Sequence, residues 1–211
     1  MRTDELINLL KEDAPVTTRI GRVLPRRLLA GAVLSALVLL LTVGMRPDMA
    51  EKILTARVGF KIIETLALAG LAVALVFPAG RPEVDLAPRW RLLLLPLVLL
   101  AAAVLLEAYA IPATEWKARW IGGHPGFCLF FIPVLSLAPL TALLWSLRQG
   151  APASPGMAGA AAGLASGAIA AALYAWHCPD DSPFFVASWY MLAIALVTLA
   201  GFAAGRRLLR W

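Results

Sequence analysis

The chain has 211 residues, of which 61% are hydrophobic and 15% charged, and its mean hydropathy is +0.80. Soluble domains are about 45–50% apolar and about 25% charged, so the composition excludes a disordered chain, a disulfide-dense secreted module and a plain cytosolic enzyme. The formal net charge of +6 would suit nucleic acid, but in a polytopic membrane protein basic residues are first a topology signal.

Residues 1–27 form an N-terminal segment of mixed polarity. Thr3 is a good N-cap, Asp4 and Glu5 favour the positive end of a helix dipole, and Pro15 ends the helix. Leu6, Ile7 and Leu10 make an apolar stripe that Leu9 widens. A helix this short is marginal alone in water and needs something to cover its apolar face. A membrane surface is one cover. A groove on a cytoplasmic protein is the other, and acidic residues on the segment favour it, because anionic lipid prefers basic helices. The basic run Arg19 to Arg27 reads as the stop that holds the inner end of the first span.

Six apolar stretches follow, at 28–45, 58–77, 92–110, 126–147, 157–176 and 183–204, each close to the roughly 20 residues that cross a bilayer as a helix. They are continuously apolar rather than alternating, which argues against barrel strands. Pro and Gly clusters punctuate the gaps, while Pro96, Pro133 and Pro139 fall inside spans as expected kinks. No cleavable signal peptide is visible, so the first span reads as permanent. Thirteen Lys and Arg lie on the N-terminal side of the spans and five on the other, with Lys61 inside a span. The expected architecture is therefore an all-α bundle of six transmembrane helices over 28–204, both termini cytoplasmic, with a basic tail at 205–211.

No phosphate loop, zinc-binding His pair or nucleophile elbow is present. The only two His and two Cys are His124, Cys128, His177 and Cys178, all at the predicted outer helix ends. Such a set would suit a soft divalent metal or Cu(I), or a disulfide in an oxidising compartment; the plainer account is that membrane helices tolerate cysteine as a small hydrophobe. Lys61 and Glu64, three residues apart, are expected to pair while Lys61 snorkels outward, and Glu107 is a further acid toward the same side. Gly159, Gly163 and Gly167 form overlapping Gly-x-x-x-Gly units, so their helix is expected to be central or to form a homodimer.

The opening Thr3-Asp4-Glu5-Leu6-Ile7 with Asp13-Ala14-Pro15-Val16 resembles the N-terminus of the NrsF-type family of six-span anti-sigma factors. So do the segments Pro133-Val134-Leu135-Ser136-Leu137-Ala138-Pro139-Leu140 and His177-Cys178-Pro179-Asp180-Asp181-Ser182-Pro183. The resemblance implies a bacterial inner-membrane protein that is not an enzyme and holds an extracytoplasmic-function (ECF) sigma factor inactive, without touching nucleic acid directly. It also implies that Thr3, Asp4, Leu6, Ile7, Leu10, Asp13 and Pro15 belong to the sigma-binding segment. The family's signal-responsive cysteine pair matches Cys128 and Cys178, with metal or oxidative stress as inputs. A small metal or solute transporter and a thiol-active membrane protein are the competing classes. The first lacks a broken-helix repeat, and the second a Cys-x-x-Cys.

Overall fold

The computed structural model describes residues 5, 7, 20–82, 84 and 87–210. Thr3, Asp4, Leu6, Leu10, Asp13 and Pro15 lie outside them; Ile7 is helical and exposed. The regular structure among the described residues is helical, with no strand. Helices α1 (Ile20–Thr42), α2 (Ala56–Ala79), α3 (Leu94–Ala110), α4 (Ala113–Ile121), α5 (Pro125–Leu147), α6 (Pro155–Tyr174) and α7 (Met191–Leu208) carry the fold. Six helical runs are long and apolar enough to cross a membrane; α4 and α5 share one of them.

Proline and glycine set the boundaries. Pro125, Pro155 and Pro183 open their helices, where a missing N–H costs nothing. Gly44, at φ +69°, closes α1 in the left-handed conformation and returns its N–H to the Leu39 carbonyl at 2.9 Å. Inside α5, Pro139 cannot donate to the Leu135 carbonyl four residues back. The Ser35 hydroxyl of α1 donates to that carbonyl instead, at 2.6 Å. The crossing is close because α1 presents Gly31 there: a Cβ would sit 2.8 Å from Pro139 Cα.

Helix α6 is the axis of the bundle, packed by α2, α5 and α7, with 78% of its span buried. Gly159, Gly163 and Gly167 all face α7. A Cβ on Gly163 would lie 2.5 Å from the Val197 carbonyl oxygen, one on Gly159 would strike the Gly201 carbonyl, and one on Gly167 would lie 3.3 Å from Ile194 Cα. Gly201 and Gly205 answer from α7, so two glycine faces meet. Of the two expectations for this stripe, the structure has the central one: the glycines meet α7 of the same chain. Helix α1 lies along α5, and α3 sits at the edge with Leu95, Val98, Leu105 and Leu106 exposed.

Three further features differ from expectation. Helix α1 begins by Ile20, so Arg22, Arg26 and Arg27 lie on the helix rather than ahead of it. Residues 113–121, expected as loop, form the short amphipathic helix α4, which ends at Gly122 (φ +63°). The last span opens with a turn at Pro183–Phe185 and a π-helical stretch at Val186–Tyr190 before α7 begins.

Candidate functional site

One short segment, His177 to Ser182 between α6 and the last span, gathers polar contacts from nearly every element. Cys178 lies in it, and Cys128 lies on the first turns of α5. Both thiols are wholly buried, with Sγ atoms 4.0 Å apart. The described cysteines are free, and a disulfide of about 2.05 Å would require them to approach.

Lys61 enters from α2. It shares a face with Glu64, Thr65 and Leu68, the helical repeat that turns α2 toward α6. Its stem is fully buried. Its ammonium donates to the Cys178 carbonyl at 2.8 Å, to the Asp180 carbonyl at 3.3 Å and to Asp181 Oδ1 at 2.5 Å. The expected Lys61–Glu64 pair is therefore corrected: three acceptors on one loop satisfy the ammonium better than the single Glu64 carboxylate would. Glu64, also buried, has no hydrogen-bond or ion-pair partner among the described residues.

Arg46 approaches from the segment after α1. Its guanidinium donates to Asp48 at 2.8 and 3.1 Å, to Asp181 Oδ2 at 2.8 Å and to the Cys178 carbonyl at 3.3 Å. Burial alone would pull Arg46 down, but the hydrogen bonds and charges of Asp48 and Asp181 outweigh it and hold the group above its ordinary value. The same hydrogen bond from Arg46 holds the Asp48 carboxyl below its ordinary value. Asp181 thus bridges two cations, one from each side of the first helix–helix connection.

Asp180 faces the other way. Its carboxylate accepts the backbone N–H groups of Gly123 at 2.9 Å and His124 at 3.1 Å, tying the loop to the α4–α5 junction. A Cβ at Gly122 would meet the Asp180 side chain and the Phe185 ring, so this close approach needs a glycine. Glu107 of α3 completes the ring, accepting from Arg57 at 3.0 Å and from the Ser182 hydroxyl at 3.4 Å.

The histidines do not join the thiols as ligands. His177 Nδ1 lies 3.0 Å from the Gly44 carbonyl oxygen, and the His124 ring meets Phe127 edge-on. Both line one cleft of about 410 Å³ with Met45, Phe127, Tyr174 and Pro179, one side chain away from the buried sulfurs. Among the described residues no three of His, Cys, Asp and Glu converge to hold a metal. Of the readings open for these four residues, the metal one finds no ligand set here, since two thiols fall short of the four ligands that structural zinc takes.

Sequence reasoning placed Cys128 and Cys178 at one end but missed Arg46, Asp180 and Asp181. The missed signal was Lys61: a lysine inside a span needs an anionic partner, and Asp180 and Asp181 follow Cys178 by two and three residues.

Residues 9–211 match the family model described as "Negative regulator of sigma F". The chain is 37% identical over 217 residues to the "Anti-sigma-F factor NrsF" of Caulobacter vibrioides (strain NA1000 / CB15N). It is 30% identical over 219 residues to the "Probable anti-sigma-F factor NrsF" of Azospira oryzae (strain ATCC BAA-33 / DSM 13638 / PS). Each alignment covers 100% of both chains. No solved structure matches. A helical bundle whose buried ion pairs gather, among the described residues, around one loop, and which is matched over nearly its whole length, belongs to the NrsF family of anti-sigma factors, regulators of a sigma factor rather than enzymes.

Proposed function

We propose that this protein spans the bacterial inner membrane six times, with both termini in the cytoplasm, and sequesters an ECF sigma factor through residues 3–16. Oxidation of the Cys128–Cys178 pair on the periplasmic side lowers that affinity and releases the factor. The observation that carries the reading is the 4.0 Å approach of two buried thiols, Cys128 on α5 and Cys178 in a loop bonded to Arg46, Lys61 and the Gly123–His124 backbone. Closing the sulfurs to bonding distance displaces a segment that grips α2, α3 and the α4–α5 junction at once. The axial helix α6 carries the displacement toward the opposite end. The excess of basic residues on the N-terminal side supports the orientation, and the acidic segment bearing Thr3, Asp4, Leu6, Ile7, Leu10, Asp13 and Pro15, with its apolar stripe, supports the binding assignment. An oxidant fits the thiol pair better than a metal, because no third ligand stands near among the described residues.

The test is co-purification of the sigma factor before and after oxidant. Cys128→Ser/Cys178→Ser is expected to retain the factor and to stop releasing it; normal release from this variant overturns the sensor assignment. Deleting residues 2–16 is expected to abolish co-purification, and undiminished binding overturns the segment assignment. A tenfold change in affinity needs only about 1.4 kcal/mol of difference between the two states.

A further inference from the structure

Tyr190 is completely buried, yet its hydroxyl has no hydrogen-bond partner among the described residues. Buried hydroxyls are normally satisfied, so an orphan invites the question of when it finds its acceptor. The ring packs against Tyr174 at 6.1 Å and Phe185 at 6.3 Å, and the hydroxyl faces the Cys178 thiol. It is aimed there by the π-helical stretch Val186–Tyr190, whose extra residue per turn rotates the last position inward; such bulges recur at functional sites.

We propose that Cys178 is the thiol that ionises and reacts first, and that the Tyr190 hydroxyl and the Lys61 ammonium stabilise its thiolate. The inference rests on the redox reading of the pair given above. A neutral thiol is a feeble acceptor, and the Cys178 S–H points to the Asp180 carbonyl at 3.9 Å, leaving Tyr190 unsatisfied. A thiolate is a strong acceptor and supplies what the hydroxyl lacks. Lys61 is fully buried and lies 2.8 Å from the carbonyl of the same cysteine. Cys128, the fourth residue of α5, has the partial positive charge of a helix N-terminus, about half an elementary charge, and the Tyr174 hydroxyl beside it. Each thiol thus has one tyrosine hydroxyl, and what sets Cys178 apart is the buried Lys61 ammonium, shared with Asp181, together with a Tyr190 hydroxyl that has no other acceptor.

The reaction is a two-electron oxidation by a hydroperoxide. The Cys178 thiolate attacks the distal peroxide oxygen, forming an S–O bond and breaking O–O, and the alkoxide leaves with a proton as alcohol. Cys128 then attacks the sulfenic sulfur, forming S–S, and the hydroxyl leaves as water with the Cys128 proton. Two thiols lose two electrons and two protons, and the peroxide takes them.

The experiment uses the full chain in lipid nanodiscs and hydrogen peroxide, with dimedone trapping of sulfenic acid read by mass spectrometry. In Cys128→Ser, Cys178 is expected to react about tenfold faster than Cys128 does in Cys178→Ser, with its pH midpoint lower. Adding Tyr190→Phe to Cys128→Ser is expected to slow the reaction about tenfold and move the midpoint upward. Its thermal midpoint should stay unchanged or rise, because an unsatisfied hydroxyl is gone; a purely structural tyrosine would instead lose stability. Equal rates for the two single-thiol proteins, or a faster Cys128, overturn the proposal, and so does a Tyr190→Phe rate and pH profile like that of its parent. The single-thiol comparison decides the matter even if Tyr190→Phe fails to fold. Failure of the unsubstituted chain to form any disulfide with peroxide overturns the underlying redox reading as well.

Discussion

The α6–α7 seam and the His177–Ser182 loop hold the same bundle together by opposite means. The seam is built from Gly159, Gly163, Gly201 and Gly205, and its facing positions carry no titratable group. Its stability comes from backbones in contact, which packing density and shape alone determine. The loop is built from buried charges and hydrogen bonds among Lys61, Arg46, Asp180 and Asp181, where adding or removing one proton or one bond changes the balance. The proposed signal response fits this division: an inert axis, and one addressable end.

The sharpest way to break that contrast is to give the seam a side chain. Gly163→Leu places a Cβ 2.5 Å from the Val197 carbonyl oxygen, which is backbone and can recede only if the helices part. The expected cost is at least about 3 kcal/mol, seen as loss of monodisperse protein in detergent and faster proteolysis. Gly70→Ala is the matched control: nothing lies within 4 Å of its Cβ position, so folded yield should not fall.

At the addressable end, the largest effect is expected from Asp181→Asn, which strips the carboxylate shared by Lys61 and Arg46. Breaking a buried pair from one side costs about 3–5 kcal/mol, because the surviving charge stays buried. Lys61→Met should cost less, since Asp181 and the Cys178 carbonyl both keep Arg46. Combining the two should recover part of the sum in chemical denaturation, giving a coupling of about 1–3 kcal/mol. Strict additivity would mean that the contact is not an interacting pair.

The seam was far more legible in the sequence than the loop. Gly159, Gly163 and Gly167 recur every four residues on one helix, and that spacing alone declares a close helix contact, though not whether the partner is α7 or a second chain. Apolar runs located the six spans for the same local reason. The loop's chemistry depends on residues as distant in sequence as Arg46, Lys61 and Asp181, whose meeting is decided by how helices stack. Local spacing offered Lys61 the wrong partner, Glu64, because a three-residue interval is visible in sequence and a contact across 120 residues is not. The π-helical turn before α7 left no compositional mark either.

A smaller effect is expected where the ring of contacts nears solvent. Arg57 is 42% exposed while its partner Glu107 is 7% exposed, so Glu107→Gln should cost about 1 kcal/mol, less than Asp181→Asn by the difference in burial. Asp48 adds a pH dependence. Its carboxyl is held low by Arg46, so its contribution is complete above the ordinary carboxylate value and is lost as pH falls through the depressed one. Asp48→Asn should flatten the acid limb of the stability curve, and an unchanged limb would remove Asp48 from the clamp.

The smallest effect belongs to Arg119→Gln on α4. Its bond to Glu115 at 3.3 Å is an i, i+4 pair with both side chains substantially exposed, 36% and 50%. Such pairs are worth about 0.3–0.5 kcal/mol and weaken in salt, because water screens the attraction and both side chains give up rotamers to hold it. Yet Arg119 borders the same cleft as Arg46 and Asp181. If charge near the loop acted at a distance, Arg119→Gln would disturb thiol oxidation as Asp181→Asn does. If the loop works through direct bonds to buried partners, thiol oxidation by peroxide should proceed at the unsubstituted rate. The second outcome is expected, since Arg119 donates to Glu115 while Lys61 and Arg46 reach the cysteine's own carbonyl.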